Sequence, residues 1–169
     1  MTPPRRTLDE LNDLDAIKAV KYAYLRCLDT KNWEELATLL CDDATAAYSG
    51  GKYTYTGRDE IVGFVAKNMG REEFHSSHRA HHPEIRLDGD RAEATWALED
   101  IVIDSEWNFL LIGAAFYEDV YVRQDGKWLI QHTGYRRSFE FTLPTTSIEG
   151  FALTASWWGT DGQSSLPVM

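Results

Sequence analysis

Only two cysteines, Cys27 and Cys41, occur among 169 residues, and their separation matches no metal-binding or redox motif. That leaves nothing for a disulfide-built scaffold to use, and two reduced, buried thiols in a cytoplasmic protein are expected. No apolar run approaches the ~18 residues that a membrane span requires. The opening MTPPRR leads into the polar TLDELNDLD and not into the apolar core of a secretory signal. Positive charge is also scarce: 17 lysines and arginines face 27 acids, for a net charge of −10, and no basic block occurs. Nucleic acid and anionic membrane surfaces, which need clustered positive charge, are therefore excluded as partners. Internal repeats, low-complexity tracts and linkers are missing too, which leaves one domain.

What is present is the material of a folded core. Hydrophobic residues make up 43% and charged residues 26%, and there are six tryptophans. A chain of this size encloses a real core. Residues 1–12 read as an N-terminal arm. From Asp13 to Leu28 the apolar positions Leu14, Ile17, Val20, Tyr24 and Leu28 recur at threes and fours, which predicts an amphipathic helix. NWEELATLL predicts a short second helix with Glu34 and Glu35 in its favourable first turn. ATAAYSG and KYTYTG read as two short strands around Gly50-Gly51, and DEIVGFVAKNMG as a third helix closed by Gly70.

The period then changes to two. PEIRLDGDRAEATWALEDIVID predicts two strands joined at Asp88-Gly89-Asp90, and WNFLLIGAAFYEDVYVR and KWLIQHTGYRRSFEF two longer ones joined at Gln124-Asp125-Gly126. The predicted class is α+β: three N-terminal helices packed in a curved, mainly antiparallel sheet, over residues 13–141. Residues 142–169 have no clear period. Trp157 and Trp158 make them too apolar for a free tail, so they are expected to pack on the domain or on a neighbouring subunit.

The segment FHSSHRAHHPEI holds four of the five histidines. Pairing Asp88 with Arg91 sets Leu87 against Ala92, Ile85 against Ala94, Pro83 against Trp96 and His81 against Leu98, all on one apolar face. That face continues to Asp100 and Val102, while Glu84, Arg86, Glu93, Thr95 and Glu99 meet water. His81 and Asp100 would then stand as a diagonal pair ~7–8 Å apart by backbone geometry. A buried carboxylate beside an imidazole can fix its tautomer and support it as a general base. The alternatives are a purely structural pair, or a strand slipped by one residue.

By the same parity His82 faces water, His78 lies where a bulge could turn it either way, and His75 is in a loop. The HxxHxxH spacing suits metal ligation on a helix, but this stretch leads into a strand and no partner motif occurs, so no metal is expected. His132 is expected opposite Glu118 as a cross-strand ion pair. On the first helix, Tyr24 is either a tethered core phenol or a pocket donor. Asp29 sits at the helix end that disfavours an acid, where it either caps the next helix or lines a cavity.

These residues carry a family resemblance. The segments AIKAVKYAYLRCLDTKNWEEL, HRAHHPEI, WALED and GAAFYEDVYVRQDGKWLIQHTGYRR together resemble the SnoaL-like branch of the nuclear transport factor 2-like superfamily, over about residues 10–140. Within it the likeness is nearest to the bile acid 7α-dehydratases and more distant to scytalone dehydratase and hexachlorocyclohexane dehydrochlorinase. The resemblance implies a cone-shaped barrel and a catalytic set of Tyr24, Asp29, His81 and Asp100. His82 stands where the family has a small polar residue, His75 is extra, and the tail has no counterpart.

The expected function is therefore a cofactor-independent lyase, a dehydratase acting on a small hydrophobic cyclic substrate, steroid-like ones included. His81 would remove a carbon-bound proton, Asp100 would hold the imidazole, Tyr24 would donate to the developing oxyanion, and Asp29 would tune either. Trp33, His78, Trp96, Phe116 and Tyr135 are expected pocket walls, each otherwise plain core. An isomerase or polyketide-cyclase-type enzyme using the same enolisation is one alternative, and a non-catalytic small-ligand-binding module another. The resemblance implies a homotrimer, with a dimer as the alternative.

Overall fold

The computed structural model describes residues 6–167. The long first helix, α1 (Leu8–Asp29), begins earlier than periodicity suggests, so residues 8–12 belong to the helix and not to an arm. Residues 1–5 of the expected arm, like 168–169 of the tail, lie outside the described residues. The start is set by a capping box, in which the Thr7 hydroxyl accepts from Glu10 N and the Glu10 carboxylate accepts from Thr7 N. Leu14, Ile17, Tyr24, Leu25 and Leu28 form its buried stripe, joined by an unexpected lysine, Lys21.

After α2 (Trp33–Thr38) come β1 (Leu40–Tyr48), β2 (Tyr53–Thr56), α3 (Arg58–Met69), β3 (Phe74–Asp88), β4 (Arg91–Asp104), β5 (Phe109–Gln124) and β6 (Lys127–Leu143). The strands form one open, six-stranded sheet in the order β2-β1-β6-β5-β4-β3. β3 to β6 are the antiparallel meander read from the sequence. The small hairpin joins it through β1, which runs parallel to β6. The helices fill the concave side, with α1 against β3, and the core gathers around Ile17, Leu36, Leu40, Ile61, Trp96 and Ile130.

The histidine segment is strand from Phe74 onward, nine residues before the predicted start at Pro83. The predicted pairing holds from Asp88↔Arg91 to Ile85↔Ala94, then breaks. His81 pairs with Ala97 and Glu84 with Thr95, so His82 and Pro83 together oppose Trp96 alone. His82 takes the bend with φ 29°. An extra residue in a strand reverses the facing of everything before it. Phe74, Ser76, His78 and Ala80 consequently share the concave side with Asp104, Val102, Asp100 and Leu98, their Cα partners.

The tail begins after β6 with a single turn, Thr145–Ser147. Asn108 ties it down through hydrogen bonds with Thr145 and Thr146, and the Lys31 ammonium lies 4.7 Å from the Trp158 ring centroid. These contacts tether the start of the tail and Trp158 to the domain, while Trp157 and most of the remaining described tail residues stay exposed. Among the described residues no helix is long and apolar enough to cross a membrane.

Candidate active site

The concave side encloses a cavity of about 250 Å³. Leu28, Phe64, Val65, Met69, Phe74, Leu98, Val102, Phe109 and Leu111 supply its apolar wall. Polar groups enter in two sets. One is a row across the sheet, from His78 on β3 through Asp100 on β4 and Gly113 on β5 to Arg137 on β6. The other is a group of phenols, with Tyr24, Tyr48 and Tyr117 buried, Tyr135 beside them and Tyr53 on the exposed side.

His78 is held by Asp29. Its Nδ1 lies 2.6 Å from Asp29 Oδ1, its backbone N–H donates to Asp29 Oδ2 at 2.8 Å, and Ser76 Oγ donates to Oδ1 at 2.8 Å. Burial pushes the Asp29 carboxyl up, but the bonds from the His78 ring, the His78 backbone and Ser76 outweigh it and hold the group below its usual value. An ionised Asp29 accepts from Nδ1–H, so the lone pair of His78 rests on Nε2. Asp29 therefore does not cap the second helix, a task done by Asn32, whose side chain accepts from Glu35 N.

Asp100 faces the cavity as its parity required, but its partner is Arg137. The guanidinium makes two parallel bonds to it, Nη1 to Oδ1 at 2.6 Å and Nη2 to Oδ2 at 2.9 Å, and Nε lies 2.9 Å from Glu140. This fork crosses β5 at Gly113. A Cβ there would stand 2.5 Å from Arg137 Nη1 and 2.7 Å from Asp100 Oδ1, so only glycine leaves the pair room. Tyr24, fully buried, shares a 3.0 Å hydrogen bond with the Tyr48 hydroxyl, and burial pushes both phenols well above their usual range.

Several expected residues stand elsewhere. His81 lies beyond the bulge on the convex face, nearly half exposed, with Nε2 3.8 Å from Glu99; it meets neither Asp100 nor the cavity. His75 and His81 face away from His78, because positions three apart on a strand point to opposite sides, so the HxxHxxH spacing gathers no cluster. Trp33 packs on the core and Trp96 is fully buried, and neither lines the cavity. Phe116 is half exposed on the convex face. His132 pairs with Val120 and not Glu118, because the hairpin closes at Gln124↔Lys127, one residue on from the expected register, and a bulge between Val120 and Tyr121 shifts it by one more; its ring bonds Thr45 Oγ1 at 2.7 Å. Tyr135 and His78 do line the cavity.

Arg137, Tyr48, Tyr117 and Ser76 had escaped sequence reasoning. A signal for Ser76 and His78 existed: Phe74, Ser76, His78 and Ala80 alternate, which would have extended the strand upstream. Residues 9–134 match the description of a SnoaL-like domain. The chain belongs to the SnoaL-like family.

Solved structures share this SnoaL-like fold of the nuclear transport factor 2-like superfamily. Hexachlorocyclohexane dehydrochlorinase LinA-type3 from Novosphingobium barchaimii LL02 superposes with a TM-score of 0.74 at 22% identity, covering 86% of this chain and 99% of that one. A provisionally named scytalone dehydratase from Novosphingobium aromaticivorans DSM 12444 gives 0.72 at 24% identity, over 78% and 88% of the two chains. ActVI-ORFA from Streptomyces coelicolor gives 0.64 at 14%, over 75% and 98%.

Proposed function

We propose that this SnoaL-like protein is a cofactor-independent lyase, a dehydratase of carbonyl-activated ring compounds, with His78 as its base. The carrying observation is the 2.6 Å contact of His78 Nδ1 with Asp29, which leaves Nε2 as the free nitrogen of a residue that lines the cavity. In the proposed reaction Nε2 takes a proton from carbon, and the C–H electrons move into the conjugated carbonyl. As they return, the C–O bond breaks and the leaving hydroxyl receives the proton from Nε2, departing as water and restoring neutral His78. Asp29 stabilises the transient imidazolium. Tyr24, backed by Tyr48, donates to the oxygen that carries the developing charge. The Asp100–Arg137 fork forms a polar band between two apolar zones and orients the ring.

The cavity lies just below the ~300–1,000 Å³ of drug-sized ligand sites, which favours a substrate of one or two rings over a whole steroid nucleus. A bile acid 7α-dehydratase-like specificity would need the remaining rings to project from the mouth. Isomerisation or ring closure through the same enolate is the second reading, supported by the ability of a single His–Asp pair to both take and return a proton. The free, buried Cys27 and Cys41 fit a reducing compartment such as the cytoplasm.

A homo-oligomer, trimer or dimer, is proposed from the convex face. There Ile101, Ile112, Phe116, Phe139, Phe141 and Leu143 form an apolar band, with the four last named between 43% and 56% exposed.

The deciding experiment runs wild type and His78→Ala on a panel of hydroxylated cyclic ketones and enones. Dienone absorbance with wild type and none with the variant supports the lyase reading. Solvent deuterium entering a ligand without loss of water moves the reading to an isomerase. Equal binding by both proteins with no chemistry in either would make the cavity a binding module.

A further inference from the structure

Beneath the phenols lies a charge pair that the proposed chemistry does not use. Lys21 and Asp119 are both completely buried, with Nζ 2.7 Å from Oδ2. Asp119 Oδ2 also accepts from the Tyr121 hydroxyl at 2.8 Å, while its Oδ1 is buried without a partner. Such a pair is a poor device for stability. Each ion loses several kcal/mol of hydration on burial, and well-packed apolar residues in its place are often neutral or better. Here the compensation is also incomplete, because an ammonium with three donors has one carboxylate oxygen. What it has besides is aromatic surface. Lys21 Nζ sits 3.3 Å from the ring centroid of Tyr117 and 4.9 Å from that of Tyr24.

Both rings line the cavity and Lys21 does not. The two phenols are packed edge to face, 6.4 Å between centroids at 86°. A cation on a ring face draws electron density from the ring and makes its hydroxyl a stronger donor, an effect largest where water is excluded. The other groups around Tyr117 act the opposite way: burial first, then Tyr48, Tyr135, Asp119 and Asp100 all oppose charge on its oxygen. Burial pushes the Lys21 ammonium below its usual range and Asp119 opposes that shift; the cation held in this way is the group of opposite sign in contact with the ring.

We infer that Lys21 is a positioning residue, held by Asp119 beneath the cavity floor, which acts through the Tyr117 and Tyr24 rings to strengthen their hydroxyls as donors to an anionic oxygen of the substrate. The inference rests on the enolate-forming function proposed above. It assigns the floor of the cavity to the oxygen end of the substrate, with the dyad at its carbon end.

The test reads the Tyr117 phenol directly. A fluorinated tyrosine is placed at position 117 or, as an exposed control, at Tyr53, and its ionisation is followed by fluorine NMR in wild type, Lys21→Met and Lys21→Met/Asp119→Leu. The double variant removes the pair together, so it leaves no lone buried carboxylate if the single variant fails to fold. The expected result is an ionisation constant about tenfold weaker at position 117 in Lys21→Met, a smaller weakening in the double variant, where loss of the Asp119 charge offsets part of the effect, and no change at position 53. In turnover, kcat falls about tenfold with KM unchanged, as for an interaction made mainly in the transition state. A position-117 phenol that ionises as in wild type in Lys21→Met, or more readily than in wild type in the double variant, overturns the inference. The titration needs no substrate, so the two readings fail separately. A phenol shift without turnover anywhere in the panel sinks the lyase and keeps the Lys21 effect. Turnover lost in His78→Ala with no phenol shift does the reverse.

Discussion

His78 and Asp100 stand directly opposite each other on β3 and β4, yet each turns to a different partner, His78 to Asp29 and Asp100 to Arg137. The adjacency of two opposing strands would allow an imidazole–carboxylate contact here. The fork from Arg137 occupies both Asp100 oxygens, and Asp29 takes the imidazole. Four side chains thereby become two pairs with separate tasks.

The first prediction separates the two histidines. Replacing His78 by alanine should lower turnover by about 10²-fold or more, the usual contribution of a positioned base. Replacing His81 should leave it within a few-fold, because that ring is exposed beyond the bulge. Side-by-side rates on one substrate suffice, and the opposite ranking would sink the assignment.

Asp29 should also leave a signature in stability against pH. Its native carboxyl titrates below the usual 3.8, so the unfolded chain binds the proton more readily. The stabilisation is complete above the unfolded value and is lost as pH falls through the lower native value. Urea midpoints should therefore show Asp29→Asn well below wild type at neutral pH, with the gap closing in acid. A gap independent of pH would mean that packing, not ionisation, is what the substitution disturbs.

Gly113 should tolerate no side chain. Alanine there would strike the Arg137–Asp100 fork, and overpacking of this kind costs about 1–3 kcal/mol. Chemical denaturation would measure the loss, and a Gly113→Ala protein as stable and active as wild type would show the fork to be dispensable.

The convex face offers a fourth prediction. Phe139→Asp combined with Phe141→Asp should move the protein from oligomer toward monomer in analytical ultracentrifugation, since both rings are about half exposed on the apolar band. The cavity lies on the other side of the sheet, so the fold of the monomer should survive. A wild-type protein that sediments as a monomer at micromolar concentration would remove the premise.

Much of the fold was legible because its signals are local. Period-two alternation from Arg91 to Asp104 and the Asp-Gly turns at Gly89 and Gly126 are properties of a few neighbouring residues, and the meander follows from them. Asp100 and Tyr24 were placed correctly in facing for the same reason. The helix start at Leu8 was missed because a capping box, not an apolar stripe, defines it.

The sequence by itself determined the alternation of apolar and polar faces, the order of helices and strands, and a supply of imidazole, carboxylate and phenol near one end of α1 and β3. Which histidine serves was decided only in three dimensions. One extra residue at His82 reverses the facing of all that precedes it, and a bulge costs too little locally to be marked in the letters. Arg137 meets Asp100 across a strand whose only contribution is the missing side chain of Gly113, and Lys21 meets Asp119 almost a hundred residues further on. Such pairings depend on register summed over several strands, and it is the packed sheet that sets the register.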